Sequence, residues 1–287
     1  MTPIHPLRGR TRLLSAAVAA ATVGALAFTA SAVADNANKP VPAPPAVPTS
    51  ADQIQNIDQV KTAIKGYYGD TLTAQADPVN GTVALHQFSP TSSYANEMAG
   101  IVSDAKKFLG KPNAGSGTGT KAVLFDIDDT TLNTYSYEIY SSFVFNPTTN
   151  AAFVNACLAA TGCVFPAVPG MVELEHYAEA QGYTVFFLTG RPSAPVSQLP
   201  GTLANLTNAG YDVDPENVYL KDASGATEPW LTCAPTCTTT QYKSLTRQHI
   251  ESLGYDIVAN FGDQFSDLNG GFADMTFKLP NPMYFLP

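Results

Sequence analysis

The chain has 287 residues, of which 45% are hydrophobic and only 14% are charged, and its formal net charge at pH 7 is −9. An acidic surplus argues against binding to a nucleic acid polymer or to an anionic membrane, because such affinity comes from clustered lysine and arginine. It does not exclude a small anionic substrate, since a bound metal ion can reverse the local field.

The N-terminal segment has the features of a secretory signal. Three arginines precede an alanine-rich apolar run over residues 13–28, and small residues follow up to Ala34. This order predicts a signal peptide over residues 1–34 and a secreted, extracellular protein. A retained membrane anchor is the alternative, because the apolar run is almost long enough to span a bilayer. After cleavage we expect no stable membrane association, and the net charge would become about −12.

A proline-rich linker follows over residues 35–50. Five prolines fall within residues 40–48, and such a segment is extended and cannot build a core. We therefore expect one folded domain over residues 51–287, which is long enough to bury a large core.

The four cysteines lie in the predicted folded part, at Cys157, Cys163, Cys233 and Cys237. In an exported protein an even number of cysteines favours disulfides, and the two short-range pairings would each close a surface loop. A zinc site is the alternative, although the spacings are not C-x-x-C.

The predicted elements begin with two helices. Isoleucine and valine recur at helical spacing from Ile54 to Ile64, which predicts an N-terminal helical extension. A second helix begins after a serine cap and ends at Gly110. The glycine-rich stretch over residues 112–120 precedes a strand rather than a helix, so we interpret it as a flexible connection and not as a phosphate-binding loop.

Apolar strands and helices then alternate to the end of the chain. The predicted strands are residues 122–126, 184–188, 218–220, 257–261 and 275–279, and the helices between them are residues 169–180, 200–208 and 241–253. Short apolar strands separated by helices predict a parallel sheet covered on both faces. Ligands bind such sheets at the carboxyl ends of the strands.

Unusual polar residues follow these strand ends. In chain order they are Asp126, Asp128, Thr189, Gly190, Arg191, Asp263 and Asp267, and Lys243 lies on the helix before the fourth strand. Residues two apart can face one site, so Asp126 and Asp128 should converge while Asp129 points away. Carboxylates, a hydroxyl and a cation at one edge predict a site for a hard metal ion beside an anion pocket.

Some of these residues have competing interpretations. Asp129 and Thr131 are expected to cap the following segment rather than to take part in chemistry. Lys221 also follows a strand and is a rival to Lys243. Arg191 would either contact substrate or orient the acidic residues.

The sequence resembles the haloacid dehalogenase (HAD) superfamily. Its first motif, D-x-D-x-T after an apolar strand, is matched by Asp126, Asp128 and Thr130; Thr189 resembles the second motif, Lys243 the third, and Asp263 with Asp267 the fourth. The segments VLFDIDDTTL, FFLTGRP, YKSLTRQHIESLGY and GDQFSDL are most similar to the acid phosphatase branch that includes bacterial class B enzymes and plant vegetative storage proteins. The resemblance runs from about Tyr94 to the end of the chain.

This resemblance implies a fold and an activity. The fold would be α/β, a Rossmann-like three-layer α/β/α architecture with a central parallel sheet and a small helical cap insert over about residues 135–169. The activity would be that of a magnesium-dependent acid phosphatase that hydrolyses small phosphomonoesters through an aspartyl-phosphate.

The resemblance also implies a role for each motif residue. Asp126 would attack phosphorus and Asp128 would act as general acid and base. Mg²⁺ would bind Asp126, the backbone carbonyl of Asp128 and Asp263, with Asp267 in or near its ligand shell. Thr189 and Lys243 would hold the phosphoryl oxygens, with Gly190 and Arg191 beside them.

Three alternatives stay open at this point. The chain could be a secreted storage or binding protein of the same fold without turnover, and a phosphotransferase would use the same residues. The aromatic residues of the insert, Tyr135, Tyr137, Tyr140, Phe143 and Phe145, would either stack on a leaving group or, as we favour, form the core of the cap.

Overall fold

The computed structural model describes residues 56–286, so the predicted signal peptide (1–34) and linker (35–50) lie outside the described residues. Helix α1 (Ile57–Tyr68) begins after the capping residue Asn56. An antiparallel hairpin of β1 (Thr71–Ala76) and β2 (Ala84–Gln87) follows. Helix α2 (Ser93–Leu109) then begins at the predicted serine cap and ends at Gly110.

Five parallel strands form the central sheet, in the order β5-β4-β3-β6-β7. Their bounds are β3 Thr120–Phe125, β4 Thr184–Pro192, β5 Val218–Lys221, β6 Tyr255–Gly262 and β7 Met275–Lys278. Each of the five predicted strands is present. Strand β3 lies at the centre between β4 and β6, so the residues after these three strands come together at one edge.

The remaining helices connect the strands. They are α3 Tyr135–Tyr140, α4 Pro147–Val154, α5 Met171–Ala180, α6 Leu199–Ala209, α7 Thr239–Ser252 and α8 Phe265–Leu268. Helices α3 and α4 lie in the segment between β3 and α5, which is the segment predicted to hold the cap insert.

The alternation of side chains along β3 places apolar residues on both faces of the sheet. Val123 and Phe125 belong to one buried cluster, which includes Leu174 of α5. Leu124 belongs to a second cluster, which includes Tyr242 of α7. The sheet is therefore covered on both faces, and the predicted three-layer α/β/α architecture is confirmed.

Both predicted short-range disulfides are formed, Cys157–Cys163 and Cys233–Cys237. All four cysteines are thus occupied, and zinc binding by their thiolates is not supported. Disulfides persist in oxidising compartments, which fits export. Between residues 56 and 286, no helix is both long and apolar enough to cross a membrane.

Glu175 in α5 gives the fold a pH-dependent stability. Its side chain is fully buried, and burial, with a smaller contribution from Glu179, raises the pKa of Glu175 to about 8. Between about pH 4.5 and pH 8 the folded chain keeps a proton that the unfolded chain has released, so stability falls as the pH rises. We compare the free energy of unfolding of Glu175→Gln with that of the native chain. The difference should rise in favour of the variant by about 1–2 kcal/mol from pH 5 to pH 8.

Urea denaturation at both pH values measures this effect. The exposed Glu216, outside the core, provides a matched control, and Glu216→Gln should shift stability equally at pH 5 and pH 8. If the free energy of unfolding of Glu175→Gln changes with pH as much as that of the native chain, the proton linkage is contradicted.

Candidate active site

The loop after β3 separates the three aspartates as the sequence predicts. Asp126 and Asp128 line one cavity of about 720 Å³. Asp129 has φ 58°, a left-handed conformation that turns it away, and its carboxylate accepts hydrogen bonds from the backbone N–H and the hydroxyl of Thr134, at 3.0 and 2.5 Å. Asp129 therefore caps the segment that leads into α3. Thr131 does not cap: its hydroxyl donates to the carbonyl of Ile127 at 3.1 Å.

Lys243 joins the ends of three strands. It lies in the second turn of α7, which begins with a capping box formed by Thr238 and Gln241. Its Nζ lies 2.5 Å from Asp126 Oδ1 and 3.0 Å from Asp267 Oδ1, and it donates to the carbonyl of Leu188 in β4 at 2.6 Å. Burial alone would lower the pKa of Lys243, but the two carboxylates outweigh burial and raise this pKa above its ordinary value.

Lys221, the rival lysine, lines the same cavity but occupies a different position. Its Nζ lies 5.6 Å from the centroid of the Tyr242 ring, and no described carboxylate forms an ion pair with it. The structure thus places Lys243, and not Lys221, on the predicted nucleophile Asp126.

Three carboxylates gather beside this lysine. Asp126, Asp263 and Asp267 each offer an oxygen, and these oxygens lie within 4.8 Å of one another. Gly262 at the end of β6 permits this approach, because a Cβ there would collide with the side chain of Asp267. Asp267 is further fixed by the backbone N–H of Gln264, which donates to its Oδ2 at 2.9 Å.

Two amide side chains hold Asp263 in place. Gln264 Nε2 and Asn281 Nδ2 both donate to Asp263 Oδ2, at 2.7 and 2.6 Å. The other oxygen, Oδ1, is 3.5 Å from the hydroxyl of Thr130. Because one oxygen is saturated by amides, the other is the one left for a ligand.

The cluster carries an electrostatic strain that positive charge would relieve. Burial and, next, the charge of Asp267 raise the pKa of Asp126 well above its ordinary value, against the opposing effect of Lys243. Burial and Asp267 likewise raise the pKa of Asp263 to about 8. Oxygen ligands of this kind suit a hard divalent cation, whose charge would keep the carboxylates ionised. The residues present therefore fit the divalent cation that the resemblance implies.

Arg191 orients Asp128. Its Nη2 and Nε donate to the two oxygens of Asp128 at 2.6 and 3.0 Å, while Nη1 donates to the hydroxyl of Thr202 at 3.0 Å. Such a bidentate pair fixes the plane of the carboxylate. This contact is the one that an orienting role requires, and a contact of Arg191 with substrate stays a prediction.

Thr189 and Gly190 lie on the same cavity. The Thr189 hydroxyl accepts from the backbone N–H of Arg191 at 3.1 Å, and the Thr189 carbonyl accepts from the hydroxyl of Tyr242 at 3.0 Å. The turn at the end of β4 is thus fixed from both sides, and its polar groups stand beside Asp126 and Lys243.

The aromatic residues of the insert divide between core and cavity. Tyr135 and Tyr137 are buried, and Tyr140 packs against the same core, as expected for a small cap. Phe143 and Phe145 line the cavity, and Phe145 is 72% exposed. Tyr137 also reaches the cavity wall, so this aromatic set supplies both the core of the cap and part of the cavity wall. Stacking on a leaving group stays a prediction.

Sequence reasoning missed several residues of the site. They are Glu138 of α3, Gln264, Asn281 and the segment over residues 284–286, all on the cavity or bonded to its aspartates. Gln264 had a local signal, since it adjoins Asp263. Glu138, Asn281 and residues 284–286 had none, because they lie outside the motifs and reach the site only through the fold.

Fold and site together define a class of protein: an α/β protein with a carboxylate cluster, a buried lysine and a cavity at the carboxyl edge of a parallel sheet. Residues 78–287 match the family model described as HAD superfamily, subfamily IIIB (Acid phosphatase). The chain belongs to this family. The resemblance predicted from about Tyr94 onwards is confirmed, and the match begins somewhat earlier.

Curated plant proteins are among the relatives. Acid phosphatase 1 of Solanum lycopersicum is 31% identical over 67% of this chain and 69% of its own length. The Stem 28 kDa glycoprotein of Glycine max is 33% identical over 57% of this chain, which spans 59% of that protein. Vegetative storage protein 1 of Arabidopsis thaliana is 25% identical over 82% of this chain and 74% of its own length.

Among solved structures, the class C acid phosphatase from Bacillus anthracis with tungstate bound has a similar fold. Its TM-score is 0.52 at 19% identity, covering 80% of this chain and 86% of that chain. The similarity supports the HAD-like architecture.

Proposed function

We propose that this chain is a secreted acid phosphatase that hydrolyses small phosphomonoesters through a phosphorylated Asp126, with Mg²⁺ as cofactor. The observation that carries the proposal is the position of Asp126. It lies on the cavity, 2.5 Å from Lys243, within the three-carboxylate cluster. Membership of the acid phosphatase subfamily and the similarity to tomato Acid phosphatase 1 support it.

In the first step an oxygen of Asp126 would form a bond to phosphorus while the bond from phosphorus to the leaving oxygen breaks. Lys243 would reduce the repulsion between the carboxylate and the phosphate dianion, and the Thr189 turn would hold phosphoryl oxygens. Asp128, oriented by Arg191, would give its proton to the leaving oxygen, so that the alcohol departs neutral.

In the second step Asp128 would accept a proton from water, and the water oxygen would displace Asp126 from phosphorus. This returns Asp126 as a carboxylate and Asp128 as an acid, and releases phosphate. Asp126, Asp263, Asp267 and the backbone carbonyl of Asp128 would hold the cation. Once bound, the cation supplies positive charge for the carboxylates and the phosphoryl oxygens.

Removal of the cation is expected to abolish hydrolysis. With an aryl phosphate as substrate, treatment with a chelator should lower phosphate release at least about 100-fold, and Mg²⁺ should restore it. Ca²⁺ should restore it poorly, because its longer ligand distances and looser geometry suit a compact three-carboxylate site less well. The measurement is phosphate release across acidic and neutral pH. Equal rates with chelator and with Mg²⁺ would contradict the metal-dependent mechanism.

A silent storage protein is the second candidate, because two of the relatives are named vegetative storage proteins. It predicts negligible phosphate release under all of these conditions. The presence of Asp126 and Lys243 in contact favours the enzyme. A phosphotransferase would instead pass the phosphoryl group to an added alcohol in preference to water.

A further inference from the structure

Glu138 is a buried carboxylate that the proposed mechanism does not use. It lies in α3, lines the cavity and is only 6% exposed. Its side chain forms no hydrogen bond and no ion pair with any residue between 56 and 286. Its oxygens are therefore open to the cavity, where a ligand that enters can supply the partner that the described residues do not.

The cations that share the cavity form no ion pair with Glu138. Lys243 is held between Asp126 and Asp267, and Arg191 is held by Asp128. Lys221 lies over the ring of Tyr242. None of the three neutralises Glu138 through an ion pair.

The cavity next to Glu138 is walled by aromatic side chains. This aromatic wall consists of Tyr137, Phe143, Phe145, Tyr284 and Phe285. Phe145 and Phe285 are 72% and 75% exposed, although large apolar side chains are ordinarily buried. Aromatic faces attract cations, and a carboxylate beside them adds negative charge once it is ionised, a form that an arriving cation favours.

We infer that Glu138 and the aromatic wall select phosphomonoesters whose leaving group carries a positively charged nitrogen, that is, the phosphate esters of amino alcohols. The inference rests on the proposed phosphatase function. The phosphate would lie at Asp126 and Lys243, and the nitrogen would lie against Glu138 and the aromatic wall. A cavity of about 720 Å³ accommodates such an ester whole.

Two pairs of nearly isosteric esters test the inference. Phosphocholine is compared with 3,3-dimethylbutyl phosphate, and phosphoethanolamine with propyl phosphate, so that each pair differs in the charge at one end. For the native chain we expect kcat/KM to be about tenfold or more higher for the cationic ester of at least one pair. A preference within the phosphocholine pair indicates selection of a quaternary ammonium group, and a preference within the phosphoethanolamine pair indicates selection of a primary one.

Glu138→Gln keeps the shape of the side chain and removes its charge, and should reduce this ratio to about one. Glu138→Asp keeps the charge and should retain part of the preference. Glu216→Gln makes the same charge change at an exposed residue outside the cavity and should leave the ratio as it is. Because each result is a ratio within one variant, a general loss of rate does not affect it.

Binding provides a second measurement. In an Asp126→Asn background, calorimetry should find phosphocholine bound more tightly than its neutral isostere, with the difference lost in Glu138→Gln. Equal kcat/KM within both pairs, or a preference that survives Glu138→Gln, overturns the inference and leaves the phosphatase proposal standing. If the native chain hydrolyses none of the four esters and no aryl phosphate, the proposed function itself fails.

Discussion

Replacement of Asp126 by asparagine is expected to lower kcat for an aryl phosphate by about four orders of magnitude or more. Asparagine keeps the size of the side chain but is a far weaker nucleophile toward phosphorus. The substitution also removes a charge from a crowded cluster, in which burial and Asp267 both oppose ionisation. We therefore expect the variant to remain folded, so the loss would be chemical. Steady-state kinetics with a thermal melt of the same preparation measures both.

The neighbouring Asp129 provides the matched control. Its carboxylate is bonded to Thr134 and caps the loop, so Asp129→Asn should lower the melting temperature while kcat stays within about tenfold. Acid quenching during turnover should trap one phosphoryl group on the native chain, detected by intact mass, and none on Asp126→Asn. If the Asp126→Asn chain is phosphorylated, or keeps more than about 1% of native activity, another residue is the nucleophile.

The sheet could be predicted because its strands have an unambiguous pattern. Strand β3 ends in four successive apolar residues, and all four are buried. Such a run is typical of a strand that is covered on both faces. The hairpin of β1 and β2 was not predicted. Its first strand is largely exposed and so lacks the apolar alternation that marks a half-buried strand. Its turn is instead held by Asp77, whose carboxylate accepts hydrogen bonds from four backbone N–H groups. A single aspartate in the sequence does not indicate this role.

The motif residues of the site could be predicted for a related reason. Parallel strands bring their carboxyl ends to one edge, so Asp126, Thr189 and Asp263 are neighbours once the strand order is set. Most partners of those residues could not be predicted, although an orienting role for Arg191 was one of two open alternatives. The contacts of Arg191 with Asp128, and of Asn281 with Asp263, depend on side-chain directions and loop paths that leave no periodic signal.

Glu138 could not be predicted as a site residue from the sequence. As a glutamate in an aromatic helix it has no motif, and its burial appears only when α3 is placed against the cavity. Burial, with the charges of Asp128 and Asp263, raises the pKa of Glu138 to about 8. Sequence reasoning predicted the residues that we propose to bind phosphate, whereas those that we propose to contact the leaving group were found only from the fold.

Lys243→Met is expected to damage both activity and stability. Methionine keeps much of the volume of lysine but leaves Asp126 and Asp267 facing each other in a buried site. Removing one partner of a buried ion pair costs about 3–5 kcal/mol of unfolding free energy. We expect a loss of about this size without added metal, and a fall in kcat/KM of about 10³-fold, because the phosphoryl group also loses a cation. Urea denaturation and steady-state kinetics measure the two effects.

A divalent cation separates the structural from the chemical part of this effect. Added Mg²⁺ places charge among the same carboxylates, so it should stabilise Lys243→Met more than the native chain. Activity should recover much less, since Lys243 would also hold the phosphate. Lys221→Met is the matched control, because Lys221 lines the same cavity without a carboxylate partner. It should cost less than Lys243→Met, because Lys221 forms no ion pair with a described residue and feels only the more distant charge of Glu228. A larger loss in Lys221→Met than in Lys243→Met would reverse the assignment of the two lysines.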